Sequence, residues 1–143
     1  MMSSLRASLL ILGLSALIAC GDDSTGPTVA SVAGTYHATQ VDLIQPDNSV
    51  IDGLALGVTL EIVLTPQGTT SGTLVIPAVL TEDGIEDDVL DLTGTFTVSG
   101  NTVTFQGQGD NLIPELPWTI GNGTLTASDA DAEGTIQVTL TRS

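Results

Sequence analysis

Apolar residues recur at every second place in several stretches of this chain. Leu54, Leu56, Val58, Leu60, Ile62 and Leu64 alternate with polar residues such as Thr59 and Glu61. Leu92, Gly94, Phe96 and Val98 alternate with Thr93, Thr95, Thr97 and Ser99. Val103 and Phe105 follow the same rule, as do Ile136, Val138 and Leu140. A period of two sends successive side chains to opposite faces of an extended strand. One face is apolar and the other is mostly Thr, as in antiparallel strands with one wet side. No long segment shows the helical period with caps at its ends.

Turn signals separate these runs. Ser99-Gly100-Asn101, Gly121-Asn122-Gly123 and Pro66-Gln67-Gly68 each read as a tight connection. Eight strands are predicted, at about 34–43, 54–65, 69–79, 90–99, 102–109, 116–121, 123–128 and 134–142. The expected fold is all-β and antiparallel, an up-and-down barrel of about eight strands, with a two-sheet β-sandwich as the alternative. Closure into a barrel would remove the edges that pair with neighbouring chains. The longer connections, 44–53 and 81–89, have room for a short helical turn.

The first 31 residues do not fit the strand pattern. Arg6 precedes an apolar run from Ala7 to Ala19. A short positive region and an apolar stretch below the roughly 20 residues of a membrane span predict a secretory signal over residues 1–19. The run ends Leu17-Ile18-Ala19-Cys20-Gly21, and Cys20 is the one cysteine of the chain. Leu17-Ile18-Ala19-Cys20 resembles the lipobox of bacterial lipoproteins. The resemblance implies cleavage before Cys20 and acylation of its thiol and amine. Several acyl chains, at about 0.8 kcal/mol per buried methylene, would hold the domain on a membrane. Gly21 rather than Asp after the cysteine implies, by analogy with enteric bacteria, the outer membrane of the cell envelope. Residues 20–31 read as lipidated cysteine plus flexible linker, rich in Gly, Pro and small polar residues, and 32–143 as the β domain.

Charge narrows the partners. The chain of 143 residues carries 17 Asp plus Glu against 2 basic residues, a formal net charge of −15. Such a surface repels phosphates, so nucleic acid is excluded as a partner. One Cys and one His leave no structural zinc site, iron–sulfur cluster or disulfide. No cofactor is expected.

A second resemblance joins the two ends of the domain. The first strand opens Val32-Ala33-Gly34-Thr35-Tyr36, and the last strand ends at Arg142. By alternation Arg142 falls on the apolar face with Val138 and Leu140, where an unpaired charge is costly. The opening resembles the Gly-x-Trp start of lipocalins and lipocalin-like bacterial lipoproteins, with Tyr for Trp. Gly94 to Phe105 is similar to their mid-barrel hairpin. The resemblance implies a lock at the closed end, with Arg142 stacked on Tyr36 and donating to backbone carbonyls. It also implies an interior for a small hydrophobic ligand, lined by Leu56, Val58, Leu60, Ile62, Phe96, Phe105 and Trp118.

Other chemistry is sparse. His37 faces away from Tyr36 and no Gly-x-Ser-x-Gly turn accompanies it, so a hydrolytic triad is not expected. Asp129-Ala130-Asp131-Ala132-Glu133-Gly134 sets oxygens at alternate positions, like the start of a calcium loop. Its twelfth position would be Leu140 and a strand follows it, so no metal is assigned, and Asp129, Asp131 and Glu133 stay weak candidates. Glu82, Asp83, Glu86, Asp87, Asp88 and Asp91 read as a solvated, mobile acidic loop. The expectation is a non-enzymatic, membrane-anchored envelope lipoprotein that holds a small apolar ligand in a barrel. The alternative is a surface or scaffold module whose acidic loops contact cations or a basic partner.

Overall fold

Among the described residues ten strands form one sheet, and eight of them pair in chain order and return to the first. The ten are β1 (Gly34–Ile44), β2 (Val50–Asp52), β3 (Thr59–Leu64), β4 (Thr69–Ile76), β5 (Asp88–Asp91), β6 (Gly94–Ser99), β7 (Thr102–Gln106), β8 (Trp118–Ile120), β9 (Thr124–Asp131) and β10 (Gly134–Arg142). The structure is a computed structural model and describes residues 25–109 and 112–143. The signal segment 1–19 and Cys20 lie outside the described residues. The path β1-β3-β4-β6-β7-β8-β9-β10 closes through β10 on β1, with every pairing antiparallel. The fold is therefore a closed eight-strand antiparallel barrel with two extra strands.

The extra strands are halves of barrel walls. β1 pairs with β3 at Gly34 to His37 and with β2 at Asp42 to Ile44. Likewise β4 pairs with β6 at Thr69 and Thr70, and with β5 from Thr73 to Ile76. The expected strand 90–99 is thus broken after Asp91, while the expected strand 54–65 is shortened to Thr59–Leu64 and β2 lies in the expected connection 44–53. The alternation through Leu54 and Leu56 does not continue the strand. Asp52 folds the chain back: its Oδ1 accepts from Ala55 N at 3.0 Å, and Val58 N donates to Gly53 O at 2.9 Å. Gly57, at φ +104°, completes the turn. A short polar side chain that bonds the backbone locally competes with the sheet ladder and wins here.

The hairpins follow the sequence signals. Gly100, at φ +57°, takes the first central place of the two-residue turn between β6 and β7. Gly68, at φ +83°, ends the Thr65–Gly68 turn, with Gly68 N donating to Thr65 O at 3.0 Å. One feature of β1 has no such signal. Its register against β10 shifts between Ala38 and Gln40, leaving Thr39 as a bulge. The bulge moves the inward phase from Tyr36 and Ala38 to Val41 and Leu43.

The two ends of the barrel differ. At one end, the closed end, α1 (Val29–Val32) lies across the opening with Val32 buried. Thr28 and Ser31 cap α1 reciprocally, each side chain accepting from the other's backbone N–H at 2.8 and 3.1 Å. Part of the expected linker, residues 28–31, is therefore built into the domain. At the opposite, open end lie the β1–β2 and β9–β10 hairpins and a 3₁₀ turn at Ala78–Leu80. α2 (Leu112–Glu115) lies there too, where β7 and β9 run past the short β8.

Candidate functional site

The lower half of the barrel is filled by side chains. Phe96, Phe105 and Trp118 form a chain of rings, with centroids 6.4 Å apart for the phenylalanines and 5.9 Å for the edge-on Phe105–Trp118 pair. Ile62, Leu125 and Leu140 are fully buried around them. Trp118 Nε1 donates to Ile113 O at 2.8 Å, which fixes α2 to the wall. A polar node sits beside the core. Gln108 Nε2 donates to Thr70 Oγ1 at 2.9 Å and to Thr95 O at 3.1 Å, and Thr70 Oγ1 donates to Leu92 O at 2.7 Å. It fastens the wall where β5 gives way to β6.

Below this core, Tyr36 and Arg142 are directly opposed across the β1–β10 pair. The buried Tyr36 hydroxyl donates to Val32 O at 2.7 Å. Arg142 Nη1 donates to Ser31 O at 2.9 Å and to Ala33 O at 3.4 Å. Burial pushes the Tyr36 phenol above its ordinary value, while the adjacent Arg142 charge and hydrogen bond oppose that shift. Arg142 was expected on the buried face, but it is exposed. Its position is the last on β10, so its guanidinium crosses the barrel end toward α1 instead of entering the core.

Toward the open end the filling stops. An apolar cavity of about 210 Å³ remains, lined by Val41, Leu43, Val58, Leu60, Leu74, Ile76, Leu80, Leu112, Ile113, Ile136 and Val138. Of the seven residues expected to line a ligand site, Val58 and Leu60 do so. Ile62, Phe96, Phe105 and Trp118 belong to the packed core beneath, at 0–2% exposure. Leu56 lies in the Asp52 turn and is 41% exposed, so it faces solvent rather than the interior. The sequence reading missed α2, whose Leu112 and Ile113 cover the cavity. The signal available was a Leu-Ile-Pro-Glu-Leu stretch between two strand patterns, too short to show a helical period.

Above the cavity the lining turns acidic. β9 points Leu125 and Ala127 inward, and the alternation then carries Asp129 and Asp131 on the same face. With Glu115 and Glu133 they line a second hollow of about 390 Å³, which shares Leu43, Leu112 and Ile136 with the apolar cavity. Asp131 also closes the β9–β10 hairpin, its Oδ1 accepting from Glu133 N at 2.7 Å and Gly134 N at 3.1 Å. This is a strand-to-strand turn. Among the described residues no group of three or more His, Cys, Asp or Glu is arranged to hold a metal ion.

The remaining polar candidates are accounted for on the surface. His37 lies on the outer wall, its Nδ1 3.3 Å from Glu61 Oε2 on the neighbouring strand. The acidic segment 82–91, expected to be a loop throughout, ends in β5, and its carboxylates bond groups within and beside it. Asp87 accepts from Ala78 N, Asp83 from Ile85 N and Thr81 Oγ1, and Asp91 from Thr93 N, at 2.6–3.1 Å. Those bonds hold Asp83 and Asp91 below the ordinary carboxylate value. Set against known family models, characterised proteins and solved structures, the chain matches none of them.

Proposed function

We propose that this protein is a lipid-anchored envelope lipoprotein whose lipocalin-like barrel holds a small apolar ligand at its open end. The observation that carries the reading is the apolar cavity itself, about 210 Å³ within an otherwise close-packed barrel. Protein interiors leave few voids larger than a water molecule. A cavity of about 150 Å³ lined by aliphatic side chains takes up benzene, whereas drug-sized ligands fill about 300–1,000 Å³. The ligand is therefore small, of the size of one ring or a short alkyl chain. Burying six methylenes supplies about 5 kcal/mol, which places Kd near 10⁻⁴ M.

The lipobox-like Leu17-Ile18-Ala19-Cys20 supports the anchor. Five residues, the spacing from Cys20 to Thr25, span at most about 18 Å. The chain then passes into α1 at the closed end. On this reading the closed end faces the bilayer and the cavity opens away from it, so the ligand enters from the aqueous side.

Residues 25–143 carry the whole closed barrel and its core, and can be examined without the anchor. We expect titration with 1-hexanol, followed by methyl NMR, to give saturable shifts at Val58, Leu60 and Val138. Leu60→Trp, which fills the space, should abolish them. Absence of any saturable shift up to the solubility of the alcohol would overturn the proposal.

A further inference from the structure

We infer that the ligand is a cationic amphiphile, a small apolar body carrying an ammonium group. The inference rests on the apolar-cavity reading above and adds the chemistry of the ligand's head. A molecule seated in the cavity must leave by the open end, and what it meets there is the acidic hollow. The inner face of β9 sets the change of polarity within one strand. Leu125 and Ala127 face the core, then Asp129 and Asp131 face the hollow one step further along. Glu115, on the helix that roofs the cavity, and Glu133, in the hairpin, add two more carboxylates. Leu43, Leu112 and Ile136 line both spaces, so a tail in one and a head in the other require a single short molecule.

Charge decides among the possible heads. A fatty-acid carboxylate would need a cation at the mouth. Among the described residues the one Lys or Arg is Arg142, and it is committed to Ser31 O and Ala33 O at the closed end. A carboxylate head would meet like charges and gain no partner, whereas an ammonium head meets carboxylates while its tail enters the apolar space. The carboxylates are exposed, so each contributes modestly and in a salt-dependent way.

The test compares three probes with the same tail, hexylammonium, 1-hexanol and hexanoate, on residues 25–143 at low ionic strength, read by methyl NMR at the cavity. We expect hexylammonium to bind about 5- to 10-fold more tightly than hexanol, and hexanoate more weakly than either. Added salt to 0.5 M should shrink the preference to about 2-fold or less. Glu115→Gln with Asp129→Asn, which neutralises two of the four rim carboxylates, should cut the preference by about half. Glu61→Gln, which deletes a charge on the outer wall, should keep it. Hexanol binding with no advantage for the amine would overturn this inference and leave the apolar-cavity reading standing. Equal losses from Glu61→Gln and the rim pair would also overturn it, since the preference would then come from the overall field. No saturable binding by any of the three would overturn both readings.

Discussion

At Gly34 a side chain would share its space with Arg142. A Cβ built there stands 2.6 Å from Arg142 Cδ and 3.1 Å from Cγ, and the backbone sits at φ +153°. The glycine therefore lets the arginine stem lie flat on the barrel end before its head reaches α1. We expect Gly34→Ala to destabilise the domain by about 2–3 kcal/mol, part from backbone strain and part from displaced Arg142. Arg142→Ala should cost about 1–2 kcal/mol, through lost charge-assisted bonds. The two act on one contact, so their effects should not add, and a double-mutant cycle in urea should show coupling above about 0.5 kcal/mol. Strict additivity would mean that Gly34 and Arg142 act separately. Tyr36 adds a pH signature at the same place. Its phenol is raised by burial, so its contribution is fully present below about pH 10, its ordinary value, and is lost as pH rises through the higher value in the fold. We expect stability to fall above pH 10 in the native domain, and Tyr36→Phe to remove part of that fall.

Elements were legible wherever period two and turn chemistry agreed, and illegible where a local bond overrode the period. β10 appears at its expected place, and β6 and β7 meet the expected bounds at their shared hairpin, where Thr–apolar alternation ends at Gly100-Asn101, but β6 starts at Gly94 and β7 ends at Gln106, three to four residues short at their far ends. The break at 53–58 was hidden because Leu54, Leu56 and Val58 keep the strand rhythm while Asp52 folds the backbone into a turn. Substitutions should separate the two cases. Leu56→Ser should stay within about 0.5 kcal/mol, as an exposed site does, whereas Leu64→Ala, buried at 2% exposure, should cost about 2–5 kcal/mol by chemical denaturation. A large loss at Leu56 would restore the continuous strand. The far end of β9 was misread for a related reason. Asp is uncommon in strands, so the expected strand stops at 128, whereas β9 runs on to Asp131 and carries Asp129 and Asp131 into the lining of the acidic hollow. Thr39 left no trace in the sequence, since a bulge changes register without changing composition.

Across the whole molecule, charge is distributed along the barrel axis. Arg142 sits at the closed end, while Asp47, Asp52, Glu82, Asp83, Glu86, Asp87, Glu115, Asp129, Asp131 and Glu133 gather in the loops and hairpins of the open end. Composition had announced the excess of negative charge but not its placement, which depends on which loops the topology brings together. Asp42 and Asp52 even face each other across β1 and β2, an arrangement that costs stability. Self-repulsion of this kind is long-ranged in dilute buffer, where the Debye length is about 30 Å at 0.01 M, and short at high salt, about 3 Å at 1 M. Asp47, Asp83 and Asp91 pull the other way: hydrogen bonds from Ser49, from Ile85 and Thr81, and from Thr93 hold them ionised. Because those three values are lowered, their stabilisation is present above about pH 4 and is lost as pH falls below it. We therefore expect the midpoint of thermal unfolding at pH 7 to rise by about 5 °C between 0.01 and 0.5 M sodium chloride, equivalent to roughly 1 kcal/mol. Glu82→Gln with Glu86→Gln, which removes two open-end charges, should reproduce part of that rise at low salt and flatten the salt response. A midpoint that is insensitive to salt would show that the open end tolerates its charge without cost, and the rim carboxylates would then be too well solvated to select an ammonium ligand.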